Sequence, residues 1–199
     1  MINISVLVSG RGSNLQAIID AVENETIAGA QIGLVISSTA DAYALERASN
    51  AGIKTAVVSK KDFPDAEALA DELIKQLKDA NTDLVVLAGY MSILSLRVIR
   101  AYKDRMINIH PSLIPKHCGE GYFGLRVHES VIASGDTESG ATVHYVDDKE
   151  VDGGEIILQG KVPVLPDDTA ETLAARVLET EHKLFVQGIN LAKERIEEE

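Results

Sequence analysis

Hydrophobic and polar positions follow two different periods along residues 1–110, and the two periods alternate. Short runs rich in apolar and β-branched residues predict strands at residues 2–8, 32–36, 54–58, 84–88 and 106–109. Between these runs, apolar residues recur every three or four positions, which predicts helices at residues 14–23, 42–50, 66–78 and 93–102. The run at 84–88 is apolar throughout, as a parallel strand buried on both faces requires. The alternation predicts an α/β fold with right-handed crossovers and a doubly wound, mostly parallel, Rossmann-like sheet.

The pattern changes after residue 110. Residues 111–124 are rich in Pro and Gly and predict a long loop, which is followed by a helix at 125–134. Residues 141–146 alternate as a half-exposed strand does, and residues 155–162 predict one more strand. The polar loop between them, 147–154, has a length that favours an antiparallel pair at the C-terminal end of the sheet. A helix at about 169–193 is predicted to close a single domain spanning 1–199, with residues 197–199 frayed.

Composition agrees with one globular domain and narrows the function classes. Of the 199 residues, 45% are hydrophobic and 25% are charged, which is ordinary for a globular protein of this length. The net charge of −12 argues against a nucleic-acid surface, although a local pocket could still hold a small anion. The single cysteine, Cys118, fits a reducing compartment, the N-terminal segment lacks signal-peptide features, and the apolar run 84–91 is too short to cross a bilayer. We therefore expect a cytoplasmic protein without membrane or nucleic-acid partners.

A glycine-rich turn follows the first predicted strand. Residues 10–15 contain two of the three glycines of the dinucleotide motif G-x-G-x-x-G, but Leu15 occupies the third position. The next strand also ends without the acidic residue that would bind a ribose diol, so we do not expect a dinucleotide. The turn suits a single phosphate instead, because Gly12 allows close backbone approach and Ser13 and Asn14 add side-chain hydrogen bonds. Ser13 could equally cap the helix, and the two roles are compatible.

An amide and an imidazole lie two residues apart at the end of the fifth predicted strand. Asn108 and His110 point to the same side of an extended strand, and Pro111 keeps His110 out of the α region. Open α/β sheets bind ligands at this edge. The pair suits acyl transfer, with Asn108 donating to a developing oxyanion and His110 moving a proton. Asp152, which precedes two glycines, could orient the imidazole or could simply form a turn, and its position in the sequence does not decide between them.

Three further histidines and the cysteine give weaker signals. His117, His128 and His144 lack the spacing of a metal site, so we expect no metal. Cys118 is adjacent to His117, and adjacent residues rarely form a nucleophile–base pair.

Four segments together resemble those of the phosphoribosylglycinamide formyltransferases, which belong to the folate-dependent formyltransferase superfamily. The segments are S-G-R-G-S-N-L-Q at 9–16, L-A-G-Y-M-S-I-L at 87–94, N-I-H-P-S-L-I-P at 108–115 and V-D-G-G at 151–154. The third and fourth segments are similar to those of the whole superfamily. The first segment, together with the length, narrows the resemblance to the purine-biosynthetic family, over roughly residues 1–190.

The resemblance implies a reaction and assigns residues to it. A formyl group would pass from 10-formyltetrahydrofolate, the donor co-substrate, to the amine of 5′-phosphoribosylglycinamide in de novo purine biosynthesis, without a metal. About 1–110 would form the phosphate-binding half of the domain, and about 111–199 the catalytic loop, folate-binding half and closing helix. The implied catalytic residues are Asn108, His110 and Asp152, and the implied substrate contacts are Gly12, Ser13, Asn14 and Glu181. The implied folate contacts are Met91, Ser92, Ile93, Leu94, Asn108, Asp148, Lys149, Glu150, Val151 and Asp152.

The chain departs from the family pattern on the folate side. Some members carry Arg where this chain has Ser92. Some also carry Arg after the Phe that opens the third crossover helix, whereas this chain has the segment F-P-D-A at 63–66, with Ala66 as its last residue. Lys60 or Lys61 could replace these cations as partners for the glutamate tail of folate. The loop 116–126 is also longer than in some members.

Other members of the superfamily and other classes of protein remain as alternatives. A formyltetrahydrofolate deformylase, which is a hydrolase, shares the Asn-His-Asp set but usually carries an extra N-terminal domain. A methionyl-tRNA formyltransferase carries an RNA-binding domain and a basic surface that are not expected here. A non-enzymatic nucleotide-binding module would explain the glycine-rich turn alone. The sequence is compatible with a monomer or a homodimer.

Overall fold

The computed structural model describes residues 1–198, in which strands and helices alternate. The strands are β1 (Ile2–Val8), β2 (Ala30–Ser37), β3 (Thr55–Val57), β4 (Leu84–Leu87), β5 (Met106–His110), β6 (Glu138–Tyr145) and β7 (Ile156–Pro163). The α-helices are α1 (Ser13–Glu23), α2 (Tyr43–Asn50), α3 (Ala66–Asp79), α4 (Leu96–Ala101), α5 (Leu125–Ser134) and α6 (Ala170–Glu197), with a short 3₁₀ turn at Lys60–Asp62.

All seven strands join one sheet in the order β3-β2-β1-β4-β5-β6-β7. The pairs among β1 to β5 are parallel, whereas β6 runs antiparallel to both β5 and β7. The order reverses at β1, since the chain first builds outward to β3 and then crosses to β4 on the other side. The predicted doubly wound, mostly parallel sheet with an antiparallel C-terminal part is therefore confirmed.

Two hydrophobic cores cover the two faces of the sheet. Val6 and Val86 belong to one core, whereas Leu7 and Val85 belong to the other, because successive strand residues point to opposite faces. Helices α1, α2, α5 and α6 supply the first core, and α3 and α4 supply the second. All four residues of β4 are buried, as its apolar composition predicts.

The structure corrects several boundaries. The predicted helix at 93–102 begins only at Leu96, because Ser95 has extended backbone angles and occupies the N-cap position. The predicted helix at about 169–193 continues to Glu197, so residue 197 is helical rather than frayed, and Glu199 lies outside the described residues. No helix in the described part of the chain is both long and apolar enough to cross a membrane.

The prediction that β6 is half-exposed was wrong. Every residue of β6 after Glu138 is buried. Its alternation reflects two different buried environments: Val143 packs into the core beneath α6, whereas Thr142 faces the loop that follows β5 and His144 faces Asn108 and Asp152. Thr142 donates to the Ser112 carbonyl at 2.7 Å, so its polar side chain is buried with a partner.

Candidate active site

The carboxyl ends of β1, β4 and β5 lie side by side at one edge of the sheet. Leu7 is in register with Leu87, and Leu87 is in register with Asn108. The glycine-rich turn after β1, the segment after β4 and His110 at the end of β5 therefore lie at one edge. This is the edge where an open α/β sheet binds ligands.

Asp152 joins the Asn108–His110 pair, which the sequence alone could not show. Its Oδ2 lies 3.4 Å from His110 Nδ1, and its Oδ1 accepts a hydrogen bond from Asn108 Nδ2 at 3.4 Å. The Gly119 N–H donates to Asp152 Oδ2 at 3.0 Å and ties the loop after β5 to the same carboxylate. His110 is 4% exposed, so this ion pair is largely shielded from water.

Hydrogen bonding defines where His110 carries its protons. Its Nε2 lies 2.9 Å from the carbonyl oxygen of His117, which can only accept, so Nε2 must donate. Its Nδ1 faces the carboxylate of Asp152, which is also an acceptor. Both ring nitrogens therefore lie beside acceptor oxygens.

His144 is a site residue that the sequence analysis treated only as a weak metal candidate. It lies opposite Asn108 in the β5–β6 register, and its Nδ1 donates to the Tyr145 carbonyl at 2.9 Å. Its Nε2 therefore accepts, and Asn108 Nδ2 lies 3.1 Å away. Burial lowers the pKa of His144 and favours this neutral form, although the charge of Asp152 acts in the opposite direction. The antiparallel pairing of β5 with β6 was the signal that could have found it.

The two glycines after Asp152 are required by the turn that presents its carboxylate. Asp152 has a left-handed backbone conformation, with φ at 59°. A Cβ atom at Gly154 would overlap the carbonyl group of Tyr145, and one at Gly153 would lie 2.6 Å from Glu150 Cβ. Asp152 is thus a turn residue whose carboxylate also contacts His110 and Asn108.

Gly12 forms the sharp corner between β1 and α1. Its φ is 73°, and a Cβ atom there would lie 2.6 Å from Ala44 Cβ. Gly12 occupies the N-cap position of α1 and no side chain caps the helix, so the interpretation of Ser13 as the cap was wrong. Backbone N–H groups of the first turn remain available to an anion, which the dipole of α1 also favours.

Asn14 and Glu181 meet although they are far apart in the sequence. Asn14 Nδ2 donates to Glu181 Oε2 at 2.8 Å, which joins α1 to α6 beside the glycine-rich turn. Burial raises the pKa of Glu181, and the hydrogen bond from Asn14 partly offsets that shift. Asn14 Oδ1 is buried without a hydrogen-bond partner among the described residues.

The segment after β4 carries exposed apolar side chains at the mouth of the site. Met91 is 54% exposed and Ile93 is 83% exposed, whereas the Met91 N–H is held by Ser9 Oγ at 2.8 Å. Beside Met91 and Ser92 lies an open cleft of about 660 Å³, which Lys60 and Lys61 border.

The loop at 147–154 carries the other implied folate contacts, Asp148 to Asp152. It lies across the site from the segment after β4. Arg100 forms a salt bridge with Asp148 at 2.8 Å, and Asp147 Oδ1 accepts from the N–H groups of Lys149 and Glu150. Val151 is 60% exposed at the tip of this loop. This turn therefore presents one exposed apolar side chain directly before Asp152.

His128 and His117 lie in different environments. His128 on α5 is buried, and its desolvation together with the nearby His110 lowers its pKa to about 4. His117 lies in the loop after β5, where its side chain bonds Ser130 and Asp136. Among residues 1–198, no three His, Cys, Asp or Glu side chains are grouped to hold a metal ion.

Comparison with known proteins identifies relatives across almost the whole chain. The formyl transferase family matches residues 2–189. Phosphoribosylglycinamide formyltransferase of Escherichia coli K12 is 47% identical over 183 residues, which cover 92% of this chain and 83% of that protein. Trifunctional purine biosynthetic protein adenosine-3 of Drosophila pseudoobscura pseudoobscura is 48% identical over 189 residues, so 94% of this chain spans only 13% of that relative.

A crystal structure extends the similarity to three dimensions. Glycinamide ribonucleotide transformylase 1 from Symbiobacterium toebii superimposes with a TM-score of 0.90 at 40% sequence identity. The superposition covers 98% of this chain and 89% of that one.

Proposed function

Because the chain belongs to the formyl transferase family, we propose that it transfers a formyl group from 10-formyltetrahydrofolate to the amine of 5′-phosphoribosylglycinamide in de novo purine biosynthesis. The observation that carries the proposal is the position of Asp152, 3.4 Å from both His110 and Asn108 at the ligand-binding edge of the sheet. An amide donor, a cationic imidazole and a carboxylate are the groups that direct attack on a formyl carbon needs.

The acceptor substrate fits the side of the site formed by α1 and α6. We assign its phosphate to Gly12 and the backbone N–H groups that follow, with hydrogen bonds from Ser13 and Asn14. Glu181, which Asn14 already contacts, then lies next to the ribose and glycinamide part. This arrangement directs the amine of the acceptor toward the end of β5.

The formyl donor fits the opposite side. Met91, Ile93 and Val151 offer exposed apolar surface to the flat pterin, and backbone groups from Ser92 to Leu94 and from Asp148 to Asp152 can bond its edges. Lys60 and Lys61 border the neighbouring cleft, where they would attract the carboxylates of the glutamate tail in place of the arginines found in some relatives.

The chemical step is a direct displacement at the formyl carbon. The amine nitrogen of the acceptor forms a bond to this carbon, and negative charge develops on the formyl oxygen. Asn108 Nδ2 and the His110 imidazolium donate to that oxygen and stabilise it. The carbon–N10 bond of the donor then breaks, and the proton lost by the amine passes by way of Asp152, through water, to N10.

The proposed donors have partners within the chain. Asn108 Nδ2 bonds Asp152 and His144, and both nitrogens of His110 also have partners. The bonds from Asn108 and His110 to Asp152 are long at 3.4 Å. Since catalytic contacts often tighten only when substrates bind, the formyl oxygen would replace these two long bonds.

Acceptor dependence separates this proposal from hydrolysis of the donor. Formyl-donor turnover should saturate with phosphoribosylglycinamide and should stop when the acceptor is omitted. Formate release at the same rate with and without acceptor would favour the deformylase instead. The choice between monomer and homodimer and the cytoplasmic location, expected from the single cysteine, remain predictions.

A further inference from the structure

The loop that follows β5 contacts His110 through a backbone group. The carbonyl oxygen of His117 accepts from His110 Nε2 at 2.9 Å. This bond fixes the imidazole ring at Nε2, and Asp152 lies beside the other ring nitrogen, Nδ1. The direction of the imidazole therefore depends on where the backbone at residue 117 is placed.

That backbone has a conformation that needs support. His117 has φ at 52°, in the left-handed region that non-glycine residues seldom occupy. Left-handed residues of this kind persist only where surrounding contacts hold them.

The side chain of His117 supplies these contacts. Its Nδ1 bonds Ser130 Oγ at 2.8 Å, and its Nε2 bonds Asp136 Oδ2 at 2.8 Å. Ser130 lies on α5 and Asp136 follows the end of that helix, so both partners belong to a packed element. Lys116 Nζ, at 2.8 Å from the other oxygen, and His117 together hold the pKa of Asp136 at about 2, with the His117 bond as the largest cause.

We propose that His117, anchored by Asp136 and Ser130, is a positioning residue that orients His110 through its own carbonyl group. The expected effect on the rate rests on the proposed formyl transfer. The orientation of His110 by His117 does not depend on that proposal. A cavity of about 340 Å³ borders Lys116, His117 and Asp136, so the loop has room to shift once the anchor is removed. Loss of the anchor should turn the imidazole away from Asp152 while both substrate-binding surfaces remain intact.

Replacement of Asp136 tests the anchor. In Asp136→Ala, we expect kcat for formyl transfer to fall about tenfold, with both KM values within about twofold, because misplacement of a catalytic group affects the chemical step. Asp136→Asn keeps an oxygen that accepts from His117 Nε2, so it should restore most of the rate. Lys116→Ala is the matched control, since it removes the other partner of Asp136 and leaves the His117 bond in place.

The state of His110 is measured without substrate by ¹⁵N NMR of its imidazole, assigned with His110→Gln. The Nε2 signal should move in Asp136→Ala and stay unchanged in Asp136→Asn and Lys116→Ala. If Asp136→Ala fails to fold, His117→Asn should give the same shift, because Asn tolerates the left-handed conformation but is too short to reach both partners. Unchanged His110 signals in folded variants without the anchor would overturn the proposal, as would an equal shift in Lys116→Ala.

The two proposals can fail separately. A wild-type protein that shows the expected His110 signals, and loses them in Asp136→Ala, but transfers no formyl group would contradict the function and support the anchor. A wild-type protein that transfers the formyl group, with His110 signals that do not respond to Asp136→Ala, would contradict the anchor alone.

Discussion

Asp152 makes contact with both other residues proposed to carry the chemistry, so its charge should matter more than its size. In Asp152→Asn, the shape is retained while the charge opposite His110 is lost, and the cationic ring is no longer stabilised. We expect kcat to fall at least about a hundredfold, because loss of one such stabilising group raises the activation free energy by about 3 kcal/mol. The variant should still fold. Steady-state kinetics and circular dichroism measure the two properties.

The control for Asp152→Asn is Asp167, which is exposed in the turn between β7 and α6. Asp167→Asn should keep wild-type turnover. Near-normal turnover in folded Asp152→Asn would remove Asp152 from the mechanism.

His144 should act on Asn108 rather than on the substrate. His144→Phe removes the acceptor for Asn108 Nδ2 and leaves a ring of similar shape in the buried space. Because the amide of Asn108 then loses one of its two fixed partners, we expect kcat to fall about tenfold with little change in KM. Kinetics with both substrates test this, and a fall in turnover no larger than twofold would contradict the role given to His144.

The sequence predicted that two residues lie together only where they are close along the chain. Asn108 and His110 share one strand, so their spacing was sufficient. Asp152 came from the family resemblance, since its approach depends on a left-handed turn that no local pattern specifies. His144 was missed because its role follows from the register of two antiparallel strands, which the sequence does not fix.

At the scale of elements, the corner between β1 and α1 is the most constrained part of the site. Gly12→Ala combines an unfavourable left-handed φ with a Cβ atom 2.6 Å from Ala44 Cβ. We expect a loss of about 1–3 kcal/mol in the free energy of unfolding. The KM for phosphoribosylglycinamide should also rise at least about tenfold, because the first turn of α1 moves away from the phosphate. Urea denaturation and kinetics measure these effects.

Gly10→Ala provides the matched control in the same turn. A Cβ atom at Gly10 would meet nothing within 4 Å, and the residue does not have a positive φ. This variant should keep both stability and KM within about twofold of wild type. Equal effects in the two variants would show that Gly12 has no special place in the turn.

The periodic elements were predictable because each one carries its own apolar stripe. Helix Leu125–Ser134 and strand Ile2–Val8 have the predicted bounds. The burial of Thr142 and His144 in β6 was not predictable, since polar residues on a strand normally indicate solvent. Here Thr142 bonds the loop residue Ser112 and His144 bonds Asn108 on the neighbouring strand.

For the whole molecule, burial of His128 should make stability depend on pH. The pKa of His128 is lowered from 6.5 to about 4 in the folded protein. Between these values the unfolded chain binds a proton that the folded chain does not, so the free energy of unfolding should fall as the pH drops from 6.5 to about 4. The contribution can reach about 3 kcal/mol. Urea denaturation across this range measures it.

His128→Phe isolates this contribution from the other groups that titrate. Glu181 acts in the opposite sense, because its raised pKa gives stability that is lost as the pH rises. The difference in stability between wild type and His128→Phe should therefore change with pH only through His128. A difference that stays constant from pH 7 to pH 4 would contradict a buried, neutral His128.

The architecture of the whole molecule was the most predictable level, since the alternation of strands and helices dictates a doubly wound sheet. That sheet in turn brings the glycine-rich turn after β1, the segment after β4 and the end of β5 to one edge. The orientation of the last two strands decides which side chains complete the site, and this level of detail required the structure.

The most direct test of the proposed reaction follows the formyl carbon itself. The purified protein is mixed with 10-formyltetrahydrofolate labelled with ¹³C in the formyl group and with phosphoribosylglycinamide, and the label is observed by NMR. We expect the label to appear as a formamide on the glycinamide amine, with little free formate, and transfer to slow at least about a hundredfold in Asp152→Asn. A label that appears as formate whether or not the acceptor is present would contradict the account.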